Sequence, residues 1–238
     1  MVTTARRDGI TSREAAEMLG LPLDRVSRLV ASGRLTTLGR SAHVLIIDPA
    51  SVKRLQYQGL ERGRVWTEAN AWAALTMLSG GNPTWLIPQR KSRIKASLLD
   101  PAVDARRIYN LARNKDTAHR YRAPGATLPL LADALLPTGP AAMVNDDVAE
   151  VFGLTAGAGL AEGYAAAGQA QEIAGDFRMP PDLGGNVTIR EVGVEEAFGD
   201  GRVPLAAIAV DLMDSLGTRE RSAGERVLQR LLEEFRGA

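Results

Sequence analysis

The sequence has no cysteine and only two histidines among its 238 residues. The absence of cysteine excludes disulfide bonds, thiolate metal sites and a cysteine nucleophile, and it fits a reducing cytoplasm. So few histidines leave little room for zinc binding or for histidine acid–base catalysis. The sequence also lacks an apolar run of membrane-spanning length and a basic-then-apolar leader. We therefore expect a cytoplasmic protein with no metal and no cofactor.

The net charge of +1 conceals a gradient along the chain. Residues 1–64 hold 11 basic and 6 acidic side chains, and residues 90–122, here called the basic segment, hold 10 and 3. Residues 123–238 hold 8 basic and 18 acidic side chains. This asymmetry favours a basic front that contacts a polyanion and an acidic back that does not. Chance segregation of solvated charges is the alternative.

The stretch 11–35, TSREAAEMLGLPLDRVSRLVASGRL, is predicted to form two short helices joined by a tight corner. Thr11 or Ser12 is placed to cap the first helix, and Glu14 stands where a capping box needs an acid. The corner is the sequence Gly20-Leu21-Pro22, in which glycine allows a left-handed backbone and proline disfavours continuation of the helix.

The second predicted helix has two different faces. Val26, Leu29 and Val30 recur at helical spacing and form its apolar face. The opposite face carries Arg25, Ser27, Arg28 and Ser32. Two helices that cross at a short glycine-containing turn are typical of a helix-turn-helix, whose second helix enters the DNA major groove. An ordinary helical hairpin in a core is the alternative.

The run that follows, LTTLGRSAHVLII, is rich in β-branched residues and predicts a hairpin wing. The region 11–47 resembles the winged helix-turn-helix heads of MerR-like and excisionase-like DNA-binding proteins. The matching residues are Ala15-Ala16, Leu19-Gly20, Val26, Arg28-Leu29 and Gly33-Arg34-Leu35. The resemblance implies binding to double-stranded DNA.

Candidate DNA contacts come from three places: the open face of the second helix, the wing, and a predicted basic helix over residues 88–99. They are Asp24, Arg25, Ser27, Arg28, Ser32, Arg34, Arg40, Ser41, His43, Arg90, Lys91 and Arg93. The helical side chains are expected to read bases, whereas the wing-tip cation Arg40 is expected to hold a phosphate.

Beyond residue 63, where we place a domain boundary, the pattern indicates a mixed domain. It predicts a helix with an apolar face after an N-cap at Thr67, a short strand at 85–87 and a helical, alanine-rich segment at 146–177 with Leu160 buried. Residues 128–136 are predicted to form an apolar helix or strand. The clearest strand is 186–192, and two helices, 204–216 and 219–235, are predicted to follow it.

The basic segment ends in RRIYNLARNKDTAHRYR. Ile108, Leu111 and Tyr121 are expected to face inward, and Tyr109 is expected to lie in the core rather than to stack on bases. The cations left for solvent or a polyanion are Arg106, Arg107, Arg113, Lys115, Arg120 and Arg122. These side chains would extend a DNA footprint, or else pair with the acidic back half.

Two other patterns invite a catalytic interpretation. Gly157, Gly159 and Gly163 have a GxGxxxG spacing, but no convincing strand precedes them, so close packing in an alanine-rich helix explains them better than a dinucleotide. Asp211 and Asp214 lie three residues apart on a predicted helix and could together hold magnesium. No glycine–serine phosphate loop precedes them, and ion pairing with nearby arginines is the alternative.

Three segments of the back half, RVWTEANAWAAL, RYRAPGATLPLLAD and AVDLMDSLGTRERSAGERVL, resemble the C-terminal region of AbiEi-type antitoxins of type IV toxin–antitoxin systems. The resemblance implies a winged helix-turn-helix joined to a larger α+β domain. It also implies repression of the protein's own operon and neutralisation of a nucleotidyltransferase-like toxin.

The sequence therefore predicts an α+β protein with a winged helix-turn-helix at 1–63 and a mixed α/β domain at 64–238. The predicted function is transcriptional repression without enzymatic activity, as an autorepressing antitoxin. The partners would be an operator, read by a homodimer if it is an inverted repeat, and a toxin or other protein. The alternatives are a nucleotidyl- or phosphoryl-transferring enzyme using Asp211 and Asp214, an excisionase-like architectural protein, and an interaction module whose acidic half binds a protein.

Overall fold

The computed structural model describes residues 9–31, 34–41, 44–58, 65–157, 159–199 and 201–238. The chain is a mixed α+β protein with two small sheets and divides into two compact units, residues 1–62 and 63–238. We call these the N-terminal unit and the C-terminal unit. The expected domain boundary falls on residues 59–64, which lie outside the described residues.

The N-terminal unit combines three helices with a three-stranded antiparallel sheet of order β1-β3-β2. Its elements are β1 (Ile10–Thr11), α1 (Ser12–Leu19), α2 (Leu23–Ala31), β2 (Thr37–Ser41), β3 (Val44–Ile47) and α3 (Pro49–Gln58). Its core consists of apolar side chains from the helices and from β3, namely Ala15, Ala16, Val26, Leu29, Leu35, Ile47, Val52 and Leu55. β2 and β3 form the hairpin that the β-branched run predicts.

The start and end of α1 follow the expected local chemistry. Thr11 is the N-cap: its Oγ1 accepts from the Glu14 amide (3.2 Å), and Glu14 Oε2 accepts from the Thr11 amide (2.7 Å). The Glu14 carboxylate accepts from both the amide and the hydroxyl of Thr11, and these two bonds lower the pKa of the carboxyl, the amide contributing most. Gly20 ends the helix with φ of 62°. The predicted capping box and left-handed corner are therefore confirmed.

The sequence Asp48-Pro49 predicts a helix from Ser51 to about Arg62, and α3 begins two residues earlier, at Pro49. Asp48 Oδ1 accepts from the Ala50 amide (2.9 Å) just before the helix, and proline at its first position has no amide to satisfy. The expected end of this helix at Arg62 lies outside the described residues.

The C-terminal unit packs helices against a four-stranded mixed sheet. Its helices are α4 (Glu68–Leu78), α5 (Pro88–Leu99), α6 (Ala105–Leu111), α7 (Asp146–Phe152), α8 (Ala170–Asp176), α9 (Leu205–Met213) and α10 (Thr218–Gly237). Its strands are β4 (Thr117–Tyr121), β5 (Leu136–Pro137), β6 (Ala161–Ala166) and β7 (Val187–Val192). Short 3₁₀ turns lie at Gly125–Ala132, Gly139–Val144 and Glu195–Phe198.

The sheet has the order β4-β7-β6-β5, with β6 and β7 parallel and the other pairs antiparallel. Because side chains alternate along a strand, Val187 and Ile189 of β7 face one small apolar cluster, while Arg190 and Val192 turn toward other neighbours. Register pairs Tyr164 of β6 with Arg190 of β7. The main core lies among α4, α9 and α10.

Most of the long apolar patterns gave the correct elements. α5 has the predicted bounds, β7 begins one residue after the predicted start, and α9 and α10 match the two predicted helices within three residues at each end. The spacing of Val227, Leu228, Leu231 and Leu232 predicts an apolar stripe on α10, and all four residues are buried. Thr67 is the N-cap of α4 as predicted, but its side chain makes no capping hydrogen bond.

Residues 85–87 do not form the predicted strand; they belong to a turn between α4 and α5. The Trp85 indole donates to the carbonyl of Ala69 (3.1 Å), and Leu86 is buried. These apolar side chains therefore close the loop onto α4, and Ile87 becomes the N-cap of α5.

The prediction of helix over 146–177 is wrong for its middle, which is the strand β6. Alanine and glycine supply too little periodicity to separate a helix from a buried strand. Position 163 of this strand favours glycine, because a Cβ there would lie 2.7 Å from the Leu135 Cβ and 2.9 Å from the Leu136 carbonyl oxygen. Leu160, expected to be buried, is 37% exposed.

Residues 128–136 combine parts of both predicted alternatives. The 3₁₀ turn Gly125–Ala132 contains Pro129, which has no amide to donate within a longer α-helix. β5 begins shortly afterwards at Leu136.

Candidate nucleic-acid interface

The second helix of the N-terminal unit, α2, separates an apolar face from a polar face. Val26 and Leu29 are buried in the core of the unit, whereas Ser27 and Arg28 are exposed. Arg25 is half-buried. The helix is strongly amphipathic because its apolar residues recur at positions i and i+3, which leaves the polar side chains together on the outside.

The polar side chains of α2 make few, mostly exposed interactions among the contacts described. Arg28 pairs with Asp24 one turn earlier, and the two side chains are 67% and 64% exposed. The hydrogen bond from Arg28 lowers the pKa of Asp24. Ser27 Oγ donates to the carbonyl of Leu23 (3.1 Å). So exposed an ion pair contributes little stability, and a phosphate or a base edge can therefore compete for the guanidinium.

The hairpin that follows places another cation on the surface. Arg40 lies in β2 opposite Leu45 of β3 and is exposed. The register shifts between Thr37 and Gly39, a bulge-like irregularity that re-aims the end of the strand. Arg34, before β2, is half-buried and has an interaction partner.

Three other predicted contacts are less fully described. Ser41 ends β2, and its side chain is outside the description. Ser32 and His43 lie outside the described residues altogether.

The remaining predicted contacts lie on α5, in the C-terminal unit. Arg90 and Arg93 are exposed, and Lys91 is half-buried and donates to the side chain of Asn82. Ile94 and Leu98 form the buried side of this helix. The predicted contacts are therefore divided between the two units.

Part of the rest of the basic segment is neutralised by acids within the C-terminal unit. Arg106 Nε lies 2.7 Å from Glu225 Oε1, and Arg122 Nε lies 2.5 Å from Asp182 Oδ2. The Glu225 carboxylate raises the pKa of the Arg106 guanidinium. Both acids belong to the acidic back half, so pairing across the sequence accounts for these two arginines.

The prediction that Lys115 is available to solvent or a polyanion is wrong, because only 2% of this residue is exposed. Its Nζ contacts Asp116 and lies 2.7 Å from Asp211 Oδ1. Tyr109 and Tyr121, at 5% exposure each, are core residues as expected.

Lys115 belongs to a mostly buried group of charges between the sheet and α9, here called the charge cluster: Lys115, Asp116, Glu162, Arg190, Asp211 and Asp214. Arg190 lies at its centre, with Nη1 3.2 Å from Asp116, Nη2 2.7 Å from Glu162, and Nε 3.6 Å from Asp211. The arginine is 6% exposed although it lies on an apolar strand.

Hydroxyl groups complete the hydrogen bonding of the cluster. Asp211 Oδ2 accepts from Thr138 Oγ1 (2.6 Å) and from the Tyr164 hydroxyl (2.7 Å). Asp214 Oδ1 accepts from the Tyr109 hydroxyl (2.5 Å). A buried carboxylate needs such partners because an unpaired charge in a low-dielectric interior is costly.

Burial and neighbouring charges act against each other on the pKa values of the cluster. Burial alone lowers the pKa of Lys115 and of Arg190, but the surrounding carboxylates outweigh it and raise both. For Asp116, burial raises the pKa, but Lys115 and Arg190 outweigh it and lower it. For Glu162, burial prevails over the attraction of Arg190 and raises the pKa.

The sequence identified Asp211 and Asp214 but not the other members of the cluster. The structure gives these two acids cationic and hydroxyl partners, as the ion-pair alternative expects, and these cations include Lys115 and Arg190, which lie outside α10. No group of three or more histidine or acidic side chains able to hold a metal ion occurs among the described residues. The available signal was a charged residue among apolar neighbours: Arg190, which precedes Glu191 in VTIREV, and Asp211 in AIAVDLM.

No described helix is long and apolar enough to cross a membrane. Comparison with protein-family models, with curated proteins and with solved structures found no match.

Proposed function

We propose that the N-terminal unit is a winged helix-turn-helix that binds double-stranded DNA, with α2 in the major groove and the β2–β3 hairpin as the wing. The observation that carries this proposal is the division of α2. Its apolar side is used by the core, and its exposed side presents Ser27 and Arg28, which can donate to base edges.

The order of elements supports the same proposal. α1 and α2 meet at a corner formed by a left-handed glycine, and the hairpin follows α2 directly. In this arrangement Arg25, Ser27 and Arg28 read bases, and Arg40 holds a phosphate from the wing. Asp24 orients Arg28, because the two side chains are one helical turn apart and form an ion pair.

We further propose that the protein is a cytoplasmic transcriptional repressor and the antitoxin of a type IV toxin–antitoxin pair. The support is the resemblance of the three back-half segments to AbiEi-type antitoxins, together with the proposed DNA-binding head. We expect a neighbouring gene to encode a nucleotidyltransferase-like toxin. We also expect co-expression of this chain to relieve the growth arrest that the toxin causes. A toxin that remains active in the presence of the chain contradicts the antitoxin proposal and leaves DNA binding untouched.

DNA binding is tested by fluorescence anisotropy with the full chain and a duplex from the region upstream of its own gene. We expect that duplex to bind about a thousandfold or more tightly than a shuffled duplex at physiological salt. The combined variant Ser27→Ala and Arg28→Ala should lose this preference. Lys53→Gln, which removes an exposed cation from α3, is the matched control and should retain it. Equal binding of both duplexes by the wild type contradicts the sequence-specific proposal.

We propose a structural role for the charge cluster rather than catalysis of nucleotidyl transfer. Asp211 is 1% exposed, and its carboxylate already accepts from two hydroxyls and contacts Lys115. Incubation with magnesium, labelled nucleoside triphosphates and RNA tests this proposal. Transfer of label that disappears in Asp211→Asn, with the fold retained, would establish the catalytic alternative.

A further inference from the structure

The C-terminal unit contains a cavity of about 780 Å³ between β4 and the end of α8. This volume lies within the range of small-molecule binding sites. Its lining has no aspartate or glutamate among the described residues, but it includes His119, Arg120 and Arg178. Glu191 Oε2 lies 3.2 Å from His119 Nε2, so the histidine has an acidic partner. The positive character of the lining comes from its two arginines, Arg120 and Arg178.

The backbone of Arg178 is left-handed, with φ of 52°, and it is the one described non-glycine residue with a positive φ. It closes α8: its amide donates to the Gly175 carbonyl (3.0 Å), and the Met179 amide donates to the Ala174 carbonyl (2.8 Å). This pair of hydrogen bonds is a Schellman motif, whose left-handed position normally holds glycine.

Two other helices close with the same motif and do hold glycine there. Gly20 ends α1 with φ of 62°, and Gly153 ends α7 with φ of 63°. A residue that has a Cβ is strained in this left-handed backbone conformation. Glycine would therefore stabilise the end of α8 better than arginine does. Helix termination therefore does not explain why arginine rather than glycine occupies position 178. The side chain of Arg178 lines the cavity, which offers an explanation.

The rest of the lining suits a ligand with an apolar body. Tyr121, Met179 and Pro181 contribute apolar surface, and the Arg120 guanidinium is held at the wall by donation to the Leu183 carbonyl (3.3 Å). Arg178 is exposed, and the described residues give its guanidinium no acidic partner. Guanidinium groups bind phosphate through paired, charge-assisted hydrogen bonds.

We propose that this cavity binds an organic phosphate of nucleotide size, with Arg120 and Arg178 on the phosphate and the wall of Tyr121 and Met179 on the organic body. This site is independent of the proposed DNA contacts of the N-terminal unit.

The test is equilibrium binding of AMP, ADP, adenosine and inorganic phosphate to the full chain. We expect AMP or ADP to bind, and adenosine to bind about tenfold more weakly, because it lacks the charged group. Arg178→Gly should also lose about tenfold in affinity for the nucleotide while its melting temperature stays the same or rises, since glycine relieves the left-handed strain. Arg120→Gln should lose affinity to a similar degree.

Arg113→Gln is the matched control, since it removes an exposed cation of the same basic segment that does not line the cavity. It should bind the nucleotides as the wild type does. Failure of both nucleotides to bind at millimolar concentration, or equal binding by the wild type and Arg178→Gly, overturns the proposal. Binding of a DNA duplex of random sequence distinguishes a small phosphate ligand from the phosphates of a DNA backbone. If Arg178→Gly weakens only duplex binding, the arginine contacts a DNA backbone and the small-ligand site is rejected.

Discussion

Selected cations of the two units have different surroundings. In the N-terminal unit, the side chains of Arg28 and Arg40 are exposed. In the C-terminal unit, Lys115 is buried, and Arg106 and Arg122 pair with acids that are distant in sequence, Glu225 and Asp182. Local charge density therefore overstates the positive surface of the C-terminal unit, because the fold brings distant acids to its arginines.

The charge cluster is the strongest example of this internal use. Buried ion pairs gain attraction in a low-dielectric interior but lose the solvation of both partners, so the pairs themselves add little stability. Removing one partner is different, because it leaves the other charge buried and uncompensated. The comparison between the units can therefore be tested by removing cations one at a time.

The largest effect is expected for Lys115→Met. Without the ammonium group, Asp116 and Asp211 lose a buried partner, and the free energy of unfolding should fall by about 3–5 kcal/mol. Arg113→Met, two residues earlier and exposed, should change it by less than about 0.5 kcal/mol. Urea denaturation followed by circular dichroism measures both. A loss below about 1 kcal/mol in Lys115→Met would mean that the cluster tolerates an unpaired acid, contrary to its proposed structural role.

The contrast also shows where sequence reasoning about the fold succeeds. α5, which has clear end signals, and α10, which has a long apolar period, were placed within two residues of their bounds. Thr11 and Glu14 identified the start of α1 because a capping box is local chemistry. β6 was missed because AEGYAA has little periodicity, and its strand pairing with β7 is a contact between distant segments.

The same division between local and distant information applies to the candidate sites. The exposed and buried faces of α2 follow from helical spacing, so Ser27 and Arg28 could be selected from sequence. The burial of Lys115 could not be predicted, because it depends on Asp211, which lies far along the chain on α9. The position of Arg178 at the cavity depends on its left-handed backbone, which the sequence FRMPP does not predict.

The next largest effects concern DNA recognition by the N-terminal unit. Arg28→Ala should reduce discrimination between operator and mismatched duplexes by about 1–3 kcal/mol, because it removes a base contact. Arg40→Ala should weaken all duplexes alike and lower the slope of log affinity against log salt by about 0.9, because it removes one phosphate contact. Anisotropy titrations over a salt series separate the two. Unchanged discrimination in Arg28→Ala rejects its assignment as a base-reading residue.

A smaller effect is expected from α5, which carries the exposed cations Arg90 and Arg93. If this helix binds flanking phosphates, the full chain with Arg90→Gln, Lys91→Gln and Arg93→Gln should show a smaller salt slope, reduced by about 0.9 for each phosphate that is no longer neutralised. Arg106→Gln with Arg122→Gln should leave the slope unchanged, because both arginines are already paired with acids. Equal slopes for the wild type and the α5 variant would exclude Arg90, Lys91 and Arg93 from the DNA footprint.

The smallest expected effect is the pH dependence contributed by Glu162. Its carboxylate faces Arg190 on β7 and the acids of the cluster, Asp211 and Asp214, and burial raises its pKa above the unfolded value. Ionised Glu162 is therefore a net cost to the folded state at neutral pH. As the pH falls through the folded pKa, the native state binds a proton before the unfolded state does, and stability increases.

Glu162→Gln removes this titration and keeps an oxygen that can accept from Arg190. The difference in free energy of unfolding, wild type minus variant, should rise as the pH falls from neutral to about 4.3, the ordinary value for glutamate, and then level off. Asp116 acts in the opposite direction in both proteins, because its pKa is lowered and its contribution is lost only under more acidic conditions. Since Asp116 is present in both, subtraction isolates Glu162. A difference that stays constant, or falls on acidification, would show that Arg190 holds Glu162 ionised and that attraction rather than burial governs this side of the cluster.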